Sequence, residues 1–279
     1  MASVPDDPRF LRAPGALGAA PRTMLAACLA GVLLTACHTA PGGATATASD
    51  EWTRTYTLTP GGEVQITNRN GSITVTAADG DTVDVHVERT VKAPTDAAAK
   101  DLLPKVEIRE DIRPDHVELQ TAGIDGILIN VSWTVHYHVR APRTSVVRVR
   151  ASNGAVDVGG FSGRVIATSA NGDLTASALA GGAEIRATNG DVHANFARIG
   201  DDLIEVRATN GQVRAMLPAD AHANLLATAT NGRVEVDGLT VEPMGEQTAR
   251  RVRGRLGNGG TPIELTATNG NITVTGAAK

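Results

Sequence analysis

Cys37 is the residue with the most specific chemistry in this chain. It ends the run Leu34-Thr35-Ala36-Cys37, a branched apolar residue and two small ones before a thiol. That is the pattern of a bacterial lipobox, in which the cysteine becomes the lipidated first residue. Arg9, Arg12 and Arg22 precede an apolar stretch from Met24 to Leu34, about the length of a signal-peptide core and short of the roughly 20 residues needed to span a bilayer. Cys28 follows a comparable Leu25-Ala26-Ala27, but cleavage there would leave almost no apolar segment upstream. Several acyl chains, at about 0.8 kcal/mol per buried methylene, make release from a membrane negligible. Export and permanent attachment are therefore expected. His38, rather than Asp, after the cysteine points to the outer membrane if the organism has two. Both cysteines fall in the leader and lipobox, so the folded part carries neither disulfide nor thiolate chemistry.

Arg250, Arg251, Arg253 and Arg255 concentrate positive charge just after Glu242 to Gln247. Arginine forks fit phosphate and carboxylate groups, so this run is the candidate surface for an anionic envelope partner; a solvated or charge-protected edge strand would carry the same residues. His136 and His138 alternate and share a face, a pairing that could grip a metal through neutral imidazoles, but they stand with Ser132, Thr134 and Arg140 on the polar side. His86 lies between Asp84 and Glu88 on another outward face. Neither arrangement offers a third ligand. Asp173 and Asp191 occupy matching places two residues after an asparagine, where stacked carboxylates would repel unless calcium or the neighbouring Arg186 and Arg207 neutralise them. No catalytic set, metal centre or cofactor site emerges from these residues.

What must position these groups is a repeat. Asn-Gly recurs at Asn70, Asn153, Asn171, Asn189, Asn210, Asn231 and Asn269, with steps of 18, 18, 21, 21 and 38 residues from Asn153 on. Four before each of the last six asparagines stand Val149, Ala167, Ile185, Val206, Ala227 and Leu265; three after stand Val156, Leu174, Val192, Val213, Val234 and Ile272. Alternation places both sets inside. The position two before is Ala151, Ser169, Ala187, Ala208, Ala229 and Ala267, a small inward site, while Arg150, Thr168, Arg186, Arg207, Thr228 and Thr266 face water. Asn-Gly also suits a type I′ hairpin, which would give an antiparallel meander. Identical turn chemistry at a fixed offset favours instead an all-β, β-solenoid architecture of stacked coils, with the asparagines at Asn153, Asn171, Asn189, Asn210, Asn231 and Asn269 passing amide hydrogen bonds from coil to coil as a structural ladder. The 38-residue gap corresponds to two coils or one coil with an insertion.

Composition fits thin coils. The chain has 279 residues, 42% apolar but only 3% aromatic, so its core is Val, Ile, Leu and Ala. A net charge of −4 argues against nucleic acid as a partner. The expected organisation is a signal peptide over 1–36, a flexible tether rich in Ala, Thr, Gly, Ser and Pro over 37–51, and one continuous β-rich domain over 52–279. Within it, 52–142 reads as an N-terminal cap with the first coils, and 143–279 as the regular coils. A short helix is expected from Thr95 to Leu103, capped by Thr95 or Asp96 and stopped by Pro104. The cleanest strand alternation runs through Ile127, Ile129, Val131, Trp133, Val135, Tyr137 and Val139.

Tyr137-His138-Val139-Arg140-Ala141-Pro142 leading into Asn153-Gly154, the successive Ala-Thr-Asn-Gly turns, and Gly254-Arg255-Leu256-Gly257-Asn258-Gly259-Gly260 before Ile263-Glu264-Leu265-Thr266-Ala267-Thr268-Asn269-Gly270 together resemble the putative-adhesin family of bacterial envelope proteins over Trp52 to Lys279. The resemblance implies a β-rich N-terminal part running into Asn-Gly coils, an envelope setting, and no enzymatic activity or catalytic residues to carry over. The expected function is a non-enzymatic, lipid-anchored scaffold or binding surface whose partner is envelope polysaccharide or another envelope protein. The alternatives are a polysaccharide-active β-helix enzyme, which would need a carboxylate pair about 5 to 9.5 Å apart, and an envelope-stress regulator acting through protein contacts. Cell fractionation tests the anchor: wild type should sediment with membranes and Cys37→Ser should be released, whereas a mutant still in the membrane would refute lipidation.

Overall fold

The computed structural model describes residues 45–124 and 129–277. The signal segment, Cys37, the first part of the tether and Ile127 lie outside the described residues. The first strands are β1 (Ala46–Thr57), β2 (Glu63–Asn70), β3 (Ile73–Ala78) and β4 (Thr82–Ala93), followed by α1 (Asp96–Leu102), β5 (Glu107–Arg113), β6 (His116–Ala122) and β7 (Ser132–Pro142). Short strands follow in quick succession: β8 (Val146–Asn153), β9 (Val156–Gly159), β10 (Val165–Asn171), β11 (Leu174–Leu179), β12 (Ala183–Asn189), β13 (Val192–Phe196), β14 (Ile204–Asn210), β15 (Val213–Leu217), β16 (Ala223–Asn231) and β17 (Val234–Asp237). β18 (Val241–Pro243), β19 (Arg251–Leu256), β20 (Thr261–Asn269) and β21 (Ile272–Gly276) complete the fold.

These strands form two long sheets, one of ten strands in the order β1-β4-β7-β3-β9-β11-β13-β15-β21-β17 and one of eleven in the order β18-β19-β16-β20-β14-β12-β10-β8-β2-β6-β5. Each Asn-Gly pair bends the chain from the eleven-stranded sheet into the ten-stranded one. Neighbouring repeats are parallel and in register: Asn153 faces Asn171, Asn171 faces Asn189, and Asn189 faces Asn210. The meander alternative does not form; antiparallel pairing is confined to the ends, at β1–β4–β7, β5–β6 and β16–β19–β18. Ten strands at about 4.8 Å spacing give a body on the order of 43 Å long.

The bends are held by side chain and backbone together. Asn153 Nδ2 donates to Asn70 Oδ1 at 2.9 Å, Asn171 to Asn153 at 3.0 Å, Asn189 to Asn171 at 2.8 Å and Asn210 to Asn189 at 2.8 Å. The glycine beside each asparagine is needed for approach, and at all but Gly232 for a positive φ as well. At Gly211, with φ +158°, an added Cβ would lie 2.0 Å from the carbonyl oxygen of Gly190 in the next coil.

The order of the last coils departs from the sequence order. Asn269 Nδ2 donates to Asn210, and Asn231 Nδ2 donates to Asn269, both at 2.8 Å. The final repeat, β20–β21, is thus inserted between the Asn210 repeat and the Asn231 repeat, pairing with β14 and β16 in one sheet and with β15 and β17 in the other. The 38-residue gap is one coil with an insertion: β19 turns back antiparallel on the outer edge of β16, and β18 lines β19.

The core lies between the sheets. Val149, Ile185, Val206, Leu174, Val192 and Val213 are all fully buried, as are Phe161 and Phe196. The small inward row is buried too, with Ser169 and Ala267 at zero exposure. A polar cluster interrupts this core near the N-terminal end: Asn68 Nδ2 donates to the Val135 carbonyl at 2.7 Å, Thr121 Oγ1 donates to Asn68 Oδ1 at 3.0 Å, and the Thr121 and Tyr137 hydroxyls meet at 2.7 Å. All three are buried, and mutual hydrogen bonding satisfies them.

Three expectations need correction. The tether is expected to reach Glu51, but β1 begins at Ala46, because its backbone pairs with β4 from Ala46 onward and Arg89 clasps Asp50 through Nε and Nη2, at 2.8 and 2.5 Å. The long alternating strand starts only at Ser132; Asn130 turns at φ +57° and Ile129 is 79% exposed. Residues 52–142 supply a single Asn-Gly coil, β2–β3, and their other strands extend both sheets beyond it. The helix is as expected, with the Thr95 hydroxyl accepting the Ala98 amide and Pro104 in the 3-10 turn that follows.

Asn210 makes two ladder bonds and Asn231 one, so Asn210→Ala should destabilise the body by about 1–3 kcal/mol and Asn231→Ala by roughly half as much, with Gly211→Ala worse than either; denaturant titration measures this. Burial pushes the Tyr137 hydroxyl up to about 12, against smaller opposing effects from the Thr121 hydrogen bond and the Arg89 charge. The unfolded chain releases that proton near 10, so this contribution is complete below pH 10 and is lost as pH rises through 12, a change on the order of 3 kcal/mol. Tyr137→Phe should flatten that part of the stability–pH curve.

Candidate functional site

The two sheets turn different chemistry to the outside. On the eleven-stranded sheet, in-register neighbours build lattices of opposite charge. Glu184 faces Glu205 and Glu205 faces Glu264, while Arg186 faces Arg207 one step along. Like charges stacked this closely would repel, and the cross-pairs relieve it: Arg186 contacts both Glu184 and Glu205, Arg207 contacts Glu205, Arg164 reaches Glu184 at 3.4 Å, and Arg148 reaches Glu63 at 2.7 Å.

Arg150 on β8 stands outside these pairs among the described residues, and at the far edge the unpaired arginines are clustered. Alternation along β19 puts Arg251, Arg253 and Arg255 on one exposed face, with Val252, Gly254 and Leu256 turned the other way, and Arg250 precedes them in the turn. Arg255 is paired to Glu242 on β18. Arg250, Arg251 and Arg253 have no carboxylate within 4.0 Å among the described residues. Their neighbours across β16 are Thr228, beside Arg251, and Leu226, beside Arg253. Antiparallel pairing to β16 fixes the spacing of these cations, and Gln247 braces the turn by accepting from the Arg253 amide at 3.0 Å and donating to its carbonyl at 2.6 Å. The four arginines singled out in the sequence are therefore adjacent, three of them uncompensated.

The ten-stranded sheet turns threonine and histidine outward among scattered charges such as Asp84, Glu88, Arg140, Asp157 and Arg214. His86 stands opposite His138 on the paired strands β4 and β7, with ring centroids 6.2 Å apart, and His136 stands opposite Glu88. The histidines that the sequence left on separate faces thus share one. His136 Nδ1 is engaged by the Ser72 hydroxyl at 2.8 Å and His86 Nδ1 by Thr53 at 3.2 Å. A shallow cavity of about 330 Å³ opens here, between Thr53, Thr74, Asp84, His86, His138 and Arg140. A second of the same volume lies on the same face, around Thr175, His193, Arg214, Met216 and Thr273.

Asp173 and Asp191 do stack, but their carboxylates are used by backbone. Asp173 Oδ1 accepts the Asp191 amide at 2.9 Å, Asp191 Oδ1 accepts the Gln212 amide at 2.8 Å, and Arg214 sits 3.4 Å from the other Asp191 oxygen. Asn271 repeats the device for Arg233. Sequence reasoning passed over one cluster: Asp111, His116 and Glu118 bring ligand-type atoms within 4.8 Å of one another on β5 and β6. The alternation His116-x-Glu118 was visible, but the facing of Asp111 and Glu118 is a product of the hairpin. Arg113 binds Asp111 at 3.1 Å, Gln65 binds Glu118 at 2.7 Å, and His116 lies 3.5 Å from Glu118.

No helix among the described residues is long and apolar enough to cross a membrane. Residues 60–275 match the family model described as Toastrack DUF4097, in keeping with the family likeness read from the turns. No curated protein matches the sequence. Among solved structures, a "putative cell adhesion protein" from Clostridium sporogenes is 11% identical, with 82% of this chain and 100% of that one covered at a TM-score of 0.43. A "putative adhesin" from Bacteroides fragilis is 12% identical, with 82% and 97% covered at a TM-score of 0.38.

Proposed function

The chain belongs to the Toastrack DUF4097 family, and from that premise we propose that it is a non-enzymatic protein of the bacterial envelope, held on a membrane by lipid at Cys37. In this reading the stacked Asn-Gly coils, covered at the N-terminal end by β1, β4–β7 and α1, form a rigid scaffold. Its outer edge at Arg250, Arg251, Arg253 and Arg255 is the binding surface, and the partner is an anionic envelope polymer such as peptidoglycan or an acidic polysaccharide. The tether before Ala46 gives the scaffold reach from the bilayer.

One observation carries this proposal. Arg148, Arg164, Arg186 and Arg207 on the same sheet lie against glutamates, whereas Arg251 and Arg253 project side by side, next to Arg250, without a compensating carboxylate among the described residues. Uncompensated guanidinium groups fixed on a strand favour planar carboxylates or phosphates, to which they can donate two hydrogen bonds at once. Exposed charge of this kind is screened over about 8–10 Å at ordinary ionic strength, so association should be salt-sensitive.

The test is co-sedimentation of the Cys37→Ser protein with isolated peptidoglycan and envelope polysaccharide. Arg251→Ala/Arg253→Ala should lower affinity by about tenfold or more, and salt at several times physiological strength should do the same. Arg255→Ala should matter less, because that side chain is already committed to Glu242. Binding unchanged in Arg251→Ala/Arg253→Ala would overturn the assignment.

A further inference from the structure

The chain places β16 and β17 before it has made the strands that separate them from the rest of the body. β20 lies between β14 and β16, and β21 between β15 and β17, although both come last. Without them, a slot one coil wide would be open in both sheets. Its walls are alike: Ile204, Val206 and Ala208 on one side, Leu225, Ala227 and Ala229 on the other, each facing Ile263, Leu265 and Ala267 of the inserted strand. Asn269 links Asn210 to Asn231, and the Gly211 amide donates to the Asn269 carbonyl while the Gly270 amide donates to that of Asn231, both at 3.1 Å. The inserted coil is thus held by in-register backbone pairing, by the amide ladder and by the burial of Ile263, Leu265 and Ala267 between the sheets.

The segment that delivers it is a hinge. Gly257, Gly259 and Gly260 have φ of +52°, +76° and +135°, and the segment is held by the Gly259 amide on the Leu256 carbonyl, the Asn258 amide on His222 Nδ1 and Asn224 Nδ2 on the Gly260 carbonyl, all at 2.9 Å. Extended, four residues span about 14 Å, roughly three strand spacings. An element joined to β19 through one hinge, filling a slot that any identical chain also presents, satisfies the conditions for exchange between copies.

We infer that the coil β20–β21 is an exchangeable element, and that the partner of the open slot is the same coil of a second copy of this chain. In the exchanged dimer every strand pairing and ladder bond of the closed form is remade between copies. What changes is the hinge conformation and the entropy of association.

Two labelled chains test this, each carrying Cys28→Ser and Cys37→Ser. One bears Ala208→Cys and the other Ala267→Cys, positions that are directly opposed. They are mixed, unfolded together and refolded at high concentration. A control mixture pairs Ala187→Cys with Ala208→Cys, opposed across coils that follow one another in sequence. An intermolecular disulfide in the first mixture but not in the control, with a dimer by light scattering, is the expected result. Monomers alone, or equal crosslinking in both mixtures, would overturn the inference. Gly259→Pro provides a second measurement. Proline cannot adopt φ +76°, so it disfavours the closed hinge and should raise the dimeric fraction about tenfold; a folded Gly259→Pro monomer with no rise would count equally against exchange.

Discussion

Everything in this body depends on keeping the Asn-Gly bends in contact along one line. A carbonyl oxygen of one bend sits where the Cβ of the next would be, so the glycine admits the stacking distance and the asparagine holds it. The amides all donate in the same sense, from Asn231 through Asn269 and Asn210 toward Asn70. A chain of aligned amides polarises its members, strengthening each bond beyond its isolated value. With the bends fixed, the strands on either side have no freedom of register, and a core of small aliphatic side chains suffices.

Register then dictates the surfaces. Because neighbouring repeats align residue for residue, any side chain chosen at an outward position is multiplied into a row. Charge of one sign is compensated sideways, as on β12 and β14, or by backbone amides, as at Asp173 and Asp191. On β19 only Arg255 is paired, to Glu242, and Arg251 and Arg253 have no carboxylate within 4.0 Å among the described residues. An uncompensated edge serves a second purpose, since like charges on an exposed strand discourage edge-to-edge pairing with other chains.

The inward and outward positions could be read from the sequence at every repeat, because alternation and the asparagine offset encode them locally. The stacking order could not. Ile204-x-Val206-x-Ala208, Leu225-x-Ala227-x-Ala229 and Ile263-x-Leu265-x-Ala267 present equivalent edges, and nothing in one of them names its neighbour; the choice is made by β19, which occupies the outer side of β16. The start of β1 was hidden for a different reason. Ala46 to Glu51 has the composition of a tether, and its order comes from the valines of β4 and from Arg89 rather than from its own side chains. The arginine run was legible as charge, but its pairing of Arg255 with Glu242 needed the hairpin geometry. The meeting of His86 with His138 joins strands whose partnership no local pattern reveals.

The two tryptophans sit at one end of this body, Trp52 on β1 and Trp133 on β7, and the repeats from β8 onward contain none. In a quasi-one-dimensional stack each coil is stabilised chiefly by its nearest neighbours, and different stretches can open separately. Tryptophan emission is therefore a local probe here, reporting on the N-terminal strands alone, while peptide circular dichroism reports on both sheets throughout. Any separation between those two signals during unfolding would mark how far cooperativity travels along the ladder.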